Sequence, residues 1–252
     1  MNASPARTWP DDALLLVAHG ATRVADAGRL LHDHAQVLRA QRRFAEVAVG
    51  LLNGKPPAVE ALAALAAHVV HVVPFFMEQG WFVREAIPRT LGEGHGHELR
   101  YHQPVGAHPD MAQLAAARAQ RVLGPAAARF AVLLVGHGSA RSPRRPMALH
   151  RHVEALSAAR RFAQVRAAFL EEPPLVADAL GEWRALPVAV LGWFAGEGGH
   201  VREDLPALLS VERAARGDAG ARLLDLGVIA DDPAMPCIIL DQVAGGATAR
   251  EG

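Results

Sequence analysis

The sequence predicts an α/β protein made of two tandem units, each built on a parallel sheet of the Rossmann or flavodoxin type. Short apolar runs rich in Val and Leu alternate with helical patterns along most of the chain. One arrangement of glycines, prolines and charged residues also occurs twice, at a constant offset of 118 residues. Because alternating strands and helices form parallel sheets with right-handed crossovers, the repeat indicates two such sheets.

The first unit is expected to follow a flexible N-terminus, residues 1–12, and to cover residues 13–123. Its strands are short apolar runs, and Gly or Pro residues punctuate the helical patterns between them. The predicted elements are strand 13–18, helix 24–42, strand 47–52, helix 59–67, strand 68–75, a helix ending near 91, strand 98–103 and helix 111–123.

The second unit is expected to cover residues 131–244, after a linker at 124–130 and before a flexible tail at 245–252. Gly124-Pro125 ends a helical pattern at the start of the linker. The 118-residue offset aligns His19 with His137, Arg42-Arg43-Phe44 with Arg160-Arg161-Phe162, Gly80 with Gly198, Val83-Arg84-Glu85 with Val201-Arg202-Glu203, and Pro88 with Pro206. Such agreement without a gap indicates a duplication, and two units facing each other would enclose a central cleft.

Composition and charge exclude several classes of partner. The chain has 252 residues, of which 51% are apolar, with 26 basic and 26 acidic side chains. This balance predicts no nucleic acid or anionic membrane partner. The single cysteine, Cys237, excludes an internal disulfide and a four-cysteine metal cage. No apolar run reaches the roughly 20 residues of a membrane span, so we expect a cytoplasmic protein.

Three polar residues follow three successive strands of the second unit. His137 follows AVLLVG, Glu171 follows VRAAFL, and His200 follows VAVLGWF and a glycine-rich turn. Because the carboxyl ends of parallel strands meet at one edge of a sheet, we expect these side chains to converge. Two imidazoles and a carboxylate suit divalent first-row metals, and a neutral imidazole is a base near physiological pH.

The first unit keeps only one of these groups. The offset places His19 opposite His137, but Asn53 opposite Glu171 and Phe82 opposite His200. The fold therefore does not require histidine at position 200, and we expect a complete site in the second unit and a degenerate one in the first.

Other motifs have less specific interpretations. The GEGG run at 196–199 lacks the last glycine of a dinucleotide-binding loop, and no Walker A motif occurs. His95 and His97 lie in a glycine-rich loop, where either metal delivery or simple exposure explains them.

The segments VGHGS, FLE and PVAVLGWFAGEGGHVREDLP resemble the class II chelatase family in its long two-repeat form. This family comprises the sirohydrochlorin cobaltochelatases and ferrochelatases of cobalamin and siroheme synthesis. The resemblance implies a chelatase-like fold and insertion of Co²⁺, or alternatively Fe²⁺ or Ni²⁺, into a tetrapyrrole without ATP. It also implies that His137 and His200 are catalytic residues and metal ligands and that Glu171 assists them. The metal ion would be a substrate, and the resemblance implies no permanently bound cofactor. Long members generally keep their working set in the N-terminal repeat, so we expect the site to have moved to the second repeat.

The resemblance further implies a substrate with eight carboxylates, which guanidinium groups bind well. Aromatic walls for the macrocycle are expected from Trp81, Phe82, Trp193 and Phe194. The remaining substrate-binding candidates are Arg141, Arg144, Arg145, Arg202, Ser139, Gly198, Gly199 and His19.

Two further functions stay open at this point. The degenerate first unit also suits a non-catalytic tetrapyrrole or metal carrier derived from a chelatase. A metal-dependent hydrolase is the third possibility, although the chain has no His-Glu-x-x-His motif. Since a duplicated chain supplies its own pseudo-dimer, we expect a monomer or a weak homodimer.

Overall fold

A computed structural model describes residues 7–20, 28–93, 96–138, 147–196, 203–217 and 222–246 of the chain. It contains two four-stranded sheets whose strand pairs are all parallel. This confirms the predicted α/β class with one parallel sheet in each repeat. No helix within the described ranges is long and apolar enough to cross a membrane.

The helices and strands of the first repeat follow the predicted order. They are β1 (Trp9–Ala18), α1 (Arg29–Ala40), β2 (Phe44–Leu51), α2 (Ala58–Ala63), β3 (Val69–Pro74), a π-helical turn (Phe82–Ala86) continued by α3 (Ile87–Leu91), β4 (Glu98–Tyr101) and α4 (Met111–Leu123).

The predicted linker is mostly a 3₁₀ helix, Gly124–Arg129, and the second repeat follows it. Its elements are β5 (Ala131–Gly136), α5 (Met147–Ala158), β6 (Gln164–Phe169), α6 (Val176–Glu182), β7 (Val188–Gly192), α7 (Leu205–Arg216), β8 (Leu223–Val228) and α8 (Met235–Ala244).

The two sheets have the same strand order. The first is β2-β1-β3-β4 and the second β6-β5-β7-β8, so β1 and β5 are inner strands. Leu14–Val17 and Leu133–Val135 are completely buried. Strands covered on both faces are apolar at every position, which explains the continuous runs in the sequence.

The backbone repeats as closely as the sequence does. Gly20 and Gly138, which follow the histidines after β1 and β5, have φ angles of 73° and 76°. Arg42 and Arg160 both have φ of 50°, in the left-handed region that non-glycine residues rarely adopt. Each of these pairs is separated by the 118-residue offset.

The compact units of the structure do not follow the predicted boundaries at 123 and 131. One unit consists of Met1–His108 and Pro233–Gly252, and the other of Pro109–Asp232. Helix α4, expected at the end of the first unit, therefore belongs to the second. Helix α8, expected at the end of the second unit, belongs to the first.

Two arginines explain why α4 packs in the second unit. Arg118 Nε donates a hydrogen bond to the carbonyl of Leu226 at the end of the second sheet, at 2.7 Å. Arg121 donates to the buried carboxylate of Asp232, also at 2.7 Å. These contacts attach α4 to the segment around β8.

Helix α8 is attached to the first unit in a comparable way. The side chain of Gln242 donates to the carbonyl of Pro104 at 2.8 Å, and α8 packs against α1 and β3. The periodicity of an amphipathic helix does not reveal which sheet buries its apolar face, so the sequence did not predict this arrangement.

The N-terminal strand begins earlier than predicted. Trp9 is buried and stacks on Phe44 with ring centroids 4.9 Å apart, and its amide donates to the carbonyl of Arg43. Residues 9–12 are therefore part of β1, and the predicted flexible segment 1–12 is wrong for them.

A largely buried polar cluster links Asp12 of β1 with His71 of β3 and with His102, which follows β4. His71 Nε2 donates to the carboxylate of Asp12 at 3.0 Å, and His71 Nδ1 lies 2.9 Å from His102 Nε2. His102 Nδ1 lies 3.2 Å from the carbonyl oxygen of Gly246, just after α8. Burial, and secondarily the charge of His71, lowers the pKa of His102 to about 4. Burial also lowers the pKa of His71, although Asp12 opposes this shift. We call these three side chains the Asp12–His71–His102 cluster.

Candidate functional site

The structure brings His137 and Glu171 together at the carboxyl edge of the second sheet. His137 directly follows β5, and Glu171 comes two residues after β6. Hydrogen bonds continue the pairing of these strands past their ends. The amide of Leu170 donates to Gly136 O at 3.2 Å, and the amide of Glu171 donates to His137 O at 3.0 Å. The strand topology therefore positions both side chains, as the sequence predicted.

The hydrogen bonding of His137 determines which ring nitrogen carries the proton in the neutral ring. Nδ1 lies 3.0 Å from the carbonyl oxygen of Gly138 and 3.6 Å from Glu171 Oε2. A carbonyl oxygen only accepts hydrogen bonds, so Nδ1 must carry the proton. In the neutral ring, Nε2 then holds a lone pair, which can bind a metal ion or accept a proton.

Both side chains are accessible. His137 and Glu171 are each 47% exposed, which leaves room for a substrate. At 3.6 Å the carboxylate is too far for a good hydrogen bond but close enough to stabilise a positive charge on the ring.

The corresponding strand end of the first repeat has similar backbone contacts but a different environment. His19 Nδ1 lies 2.8 Å from the carbonyl oxygen of Gly20, so its Nε2 is also unprotonated. The amide of Asn53 donates to His19 O at 2.8 Å. The ring of Phe82 meets the ring of His19 edge-on, with centroids 4.5 Å apart. The residue that the offset pairs with His200 therefore contacts the strand-end histidine.

Most of the other predicted site residues lie outside the described part of the chain. They are Ser139, Arg141, Arg144, Arg145, Gly198, Gly199, His200 and Arg202, together with His95 of the glycine-rich loop. His97 is described, and its Nδ1 is hydrogen-bonded to the carbonyl of Ala67 at 2.8 Å.

The predicted aromatic walls divide into buried and accessible residues. Trp193 and Phe194 are 3% and 8% exposed, so they belong to the core and cannot form a wall for a macrocycle. Strand β7 ends just before them, and their rings turn inward; Trp193 packs on His152. Trp81 is 54% exposed and contacts Phe82, with ring centroids 5.2 Å apart.

Sequence reasoning missed one residue beside this site. The Cγ atom of Glu172 lies 2.7 Å from the position that a Cβ atom on Gly138 would occupy. The first repeat has Gly54 at the equivalent position. The sequence could have indicated this residue, because Gly54 of the first repeat is replaced by Glu172 beside the change from Asn53 to Glu171.

Among the described residues, no group of three His, Cys, Asp or Glu side chains is placed to hold a metal ion. His137 and Glu171 contribute one imidazole and one carboxylate as donors at this edge of the sheet.

Comparison with known families agrees with this geometry. The family model CbiX matches the chain twice, over residues 13–122 and 131–245. The chain belongs to the CbiX family. The two matches correspond to the two repeats and together cover most of the sequence.

Among curated relatives, a protein of Halobacterium salinarum named as a probable sirohydrochlorin cobaltochelatase is 27% identical over 219 residues. The similarity covers 77% of this chain and 75% of that relative.

Two solved structures are similar to this CbiX family member over nearly its whole length. DR2241 of Deinococcus radiodurans, a multidomain protein with structural similarity to chelatases, has a TM-score of 0.83 and 26% identity. The similarity covers 96% of this chain but 57% of DR2241, which carries two additional domains. CbiX, the terminal enzyme for biosynthesis of siroheme in denitrifying bacteria, has a TM-score of 0.69 and 27% identity, with coverage of 94% and 100%.

Proposed function

We propose that this protein inserts Co²⁺ or Fe²⁺ into sirohydrochlorin without ATP. Support comes from membership of the CbiX family, the cobaltochelatase name of the Halobacterium relative and the siroheme role of the CbiX structure. The observation that carries the proposal is the His137–Glu171 pair, since only the second repeat has both groups. No Walker A motif is present to bind ATP.

The reaction needs a weak metal donor and a proton acceptor. As M²⁺ enters the free-base macrocycle, the two pyrrolic N–H groups lose their protons, and the four ring nitrogens bind the metal. His137 meets both needs, because its unprotonated Nε2 can bind the incoming ion and can take up a proton once the ion has moved to the macrocycle. The carboxylate of Glu171, 3.6 Å from Nδ1, stabilises the imidazolium formed in this step.

His200 is proposed as the second metal donor and proton acceptor. Support comes from the first repeat, where Phe82 at the equivalent position contacts the ring of His19. Two imidazoles and a carboxylate would bind a divalent first-row ion loosely enough to release it.

The arginines that follow these histidines in the sequence are proposed to bind the carboxylates of the substrate. Guanidinium groups bind carboxylates through two parallel hydrogen bonds, which fixes the plane of the macrocycle. The candidates are Arg141, Arg144, Arg145 and Arg202.

The test is the visible spectrum of sirohydrochlorin mixed anaerobically with Co²⁺, Fe²⁺ or Ni²⁺ and the protein, without ATP. We expect faster conversion than in the protein-free reaction, and a loss of about 100-fold in rate for His137→Ala. His68→Ala is the control, because it removes an exposed histidine immediately before β3. An absence of acceleration, or equal loss in both variants, would overturn the proposal.

A non-catalytic tetrapyrrole or metal carrier is the second candidate, favoured by the replacement of two site groups in the first repeat. A carrier binds the metallated product tightly and does not accelerate its formation. Calorimetry with cobalt-sirohydrochlorin separates the two functions, because weak product binding beside fast insertion excludes the carrier.

A further inference from the structure

The chain passes between the two compact units at equivalent points of the two repeats. It leaves the first unit after His108 and returns to it after Asp232. Each crossing is followed by a Pro-x-Met segment, whose methionine, Met111 or Met235, begins α4 or α8. Both the crossings and the methionines are 124 residues apart. This offset is larger than the 118 residues between the earlier elements because the second repeat is longer just before β8.

Helices α4 and α8 bury the same face. Each buried side chain of α8 has a buried counterpart 124 residues earlier, on α4. The pairs are Met111 and Met235, Ala112 and Pro236, Leu114 and Ile238, Ala115 and Ile239, Ala116 and Leu240, and Ala119 and Val243. Helix α4 packs on α5, and α8 packs on α1, which is the equivalent of α5 in the first repeat. Each helix therefore fills the same position, but in the unit built mainly from the other repeat.

Polar side chains at equivalent positions attach the two helices. Arg118 of α4 and Gln242 of α8 are also 124 residues apart. Arg118 Nε donates to the carbonyl of Leu226 at 2.7 Å, and Gln242 Nε2 donates to the carbonyl of Pro104 at 2.8 Å. Leu226 lies in β8, and Pro104 lies just after β4, so each accepting carbonyl belongs to the other repeat. The polar contacts are thus exchanged in the same way as the apolar ones.

We propose that this reciprocal exchange of α4 and α8 is an interface that makes each repeat the binding partner of the other, whether or not a peptide bond joins them. The first repeat does not contain α8, which covers apolar surface on α1 and β3. The second repeat does not contain α4, which covers apolar surface on α5 and β8. Because exposing these surfaces to water is unfavourable, each unit needs a helix from the other repeat. This inference does not depend on the proposed function.

The experiment uses the full chain with a specific protease site inserted after Pro125, an exposed residue of the segment that joins the repeats. The protein is cleaved after it has folded, and the cleaved complex is unfolded in urea at two protein concentrations a hundredfold apart. Pulsed hydrogen exchange in β1 and β5 measures the urea midpoint of each unit separately. The same protein left uncleaved is the reference, and circular dichroism verifies that it is folded.

We expect the two fragments to elute together from a sizing column. At the lower concentration both units should have a urea midpoint about 1 M lower, because unfolding of the cleaved complex also separates its two chains. The midpoints of the uncleaved protein should not depend on concentration.

Cleavage at a crossing is the matched control. A protease site after the exposed residue Pro109 leaves nearly the whole second unit on one fragment, whereas the first unit still takes α8 from that fragment. After this cleavage, dilution should lower the midpoint read in β1 but not the midpoint read in β5. A site after exposed Pro233, at the other crossing, should give the same result and replaces the first control if that insertion prevents folding.

The proposal is overturned if the fragments cleaved after Pro125 separate on the column, or if dilution changes neither midpoint. Either result would show that each repeat is complete by itself. It is also overturned if cleavage at a crossing makes the β5 midpoint as dependent on concentration as cleavage after Pro125 does, because the exchanged helices would then not be what joins the repeats.

Discussion

Acidification is expected to destabilise the first unit through the Asp12–His71–His102 cluster. Burial lowers the pKa of His102 from 6.5 to about 4. The charged groups around the pair are Asp12, Arg7 and Arg100, and the two arginines oppose protonation. Between pH 6.5 and 4, the unfolded chain therefore binds a proton that the folded chain does not bind.

The sign and size of the effect follow from this difference. Because the unfolded state binds more protons in this range, stability is full above pH 6.5 and falls as the pH falls toward 4. At 1.36 kcal/mol for each pKa unit, the shift of His102 corresponds to a loss of about 3 kcal/mol near pH 4. The downward shift of the His71 pKa acts in the same direction.

Urea denaturation at pH 7 and pH 4 measures this loss. We expect wild-type protein to lose about 3 kcal/mol more than His102→Gln, whose neutral side chain does not titrate. His68→Gln, which removes an exposed histidine immediately before β3, is expected to behave like wild type. An NMR titration that gives His102 a pKa near 6.5 or above would refute the reasoning, as would equal pH dependence in wild type and His102→Gln.

Two substitutions test packing in each unit. Trp9→Ala removes a buried ring that stacks on Phe44 and should lower the free energy of unfolding by about 3 kcal/mol. Trp81→Ala, at an exposed position, should lower it by less than about 1 kcal/mol. Similar urea midpoints for the two proteins would contradict a strand beginning at Trp9. Asp232→Asn leaves two arginines of α4 without the buried carboxylate and should lower the free energy of unfolding by about 3 kcal/mol. Asp225→Asn, at an exposed position, should lower it by less than about 1 kcal/mol. A thermal unfolding temperature unchanged by Asp232→Asn would show that this contact does not hold α4 in place.

The meeting of His137 and Glu171 could be predicted because parallel strands impose their positions. His137 and Glu171 lie 34 positions apart in the sequence, yet each follows a strand, and β5 and β6 are neighbours. Topology therefore brings them to one edge whatever the details of packing. Trp193 shows the limit of this reasoning, because being near a strand end does not determine whether a ring turns toward solvent or into the core.

The approach of Glu172 to Gly138 could not be predicted from the sequence pattern. It depends on the left-handed conformation of Gly138 and on which atom approaches that glycine, and both are properties of the folded loop. The two repeats differ here even though their glycines align. The His71–His102 contact is hidden for a similar reason, since His71 lies in β3 and His102 comes directly after the neighbouring strand β4.

The sequence by itself determined the α/β class, the duplication and the asymmetry between the repeats, because these depend on periodicity and residue type alone. Only the tertiary structure decided that α4 packs in the second unit and α8 in the first, since an amphipathic helix buries its apolar face equally well against either sheet. It also decided which nitrogen of His137 carries the proton in the neutral ring, because the proton goes to the atom that faces the carbonyl of Gly138.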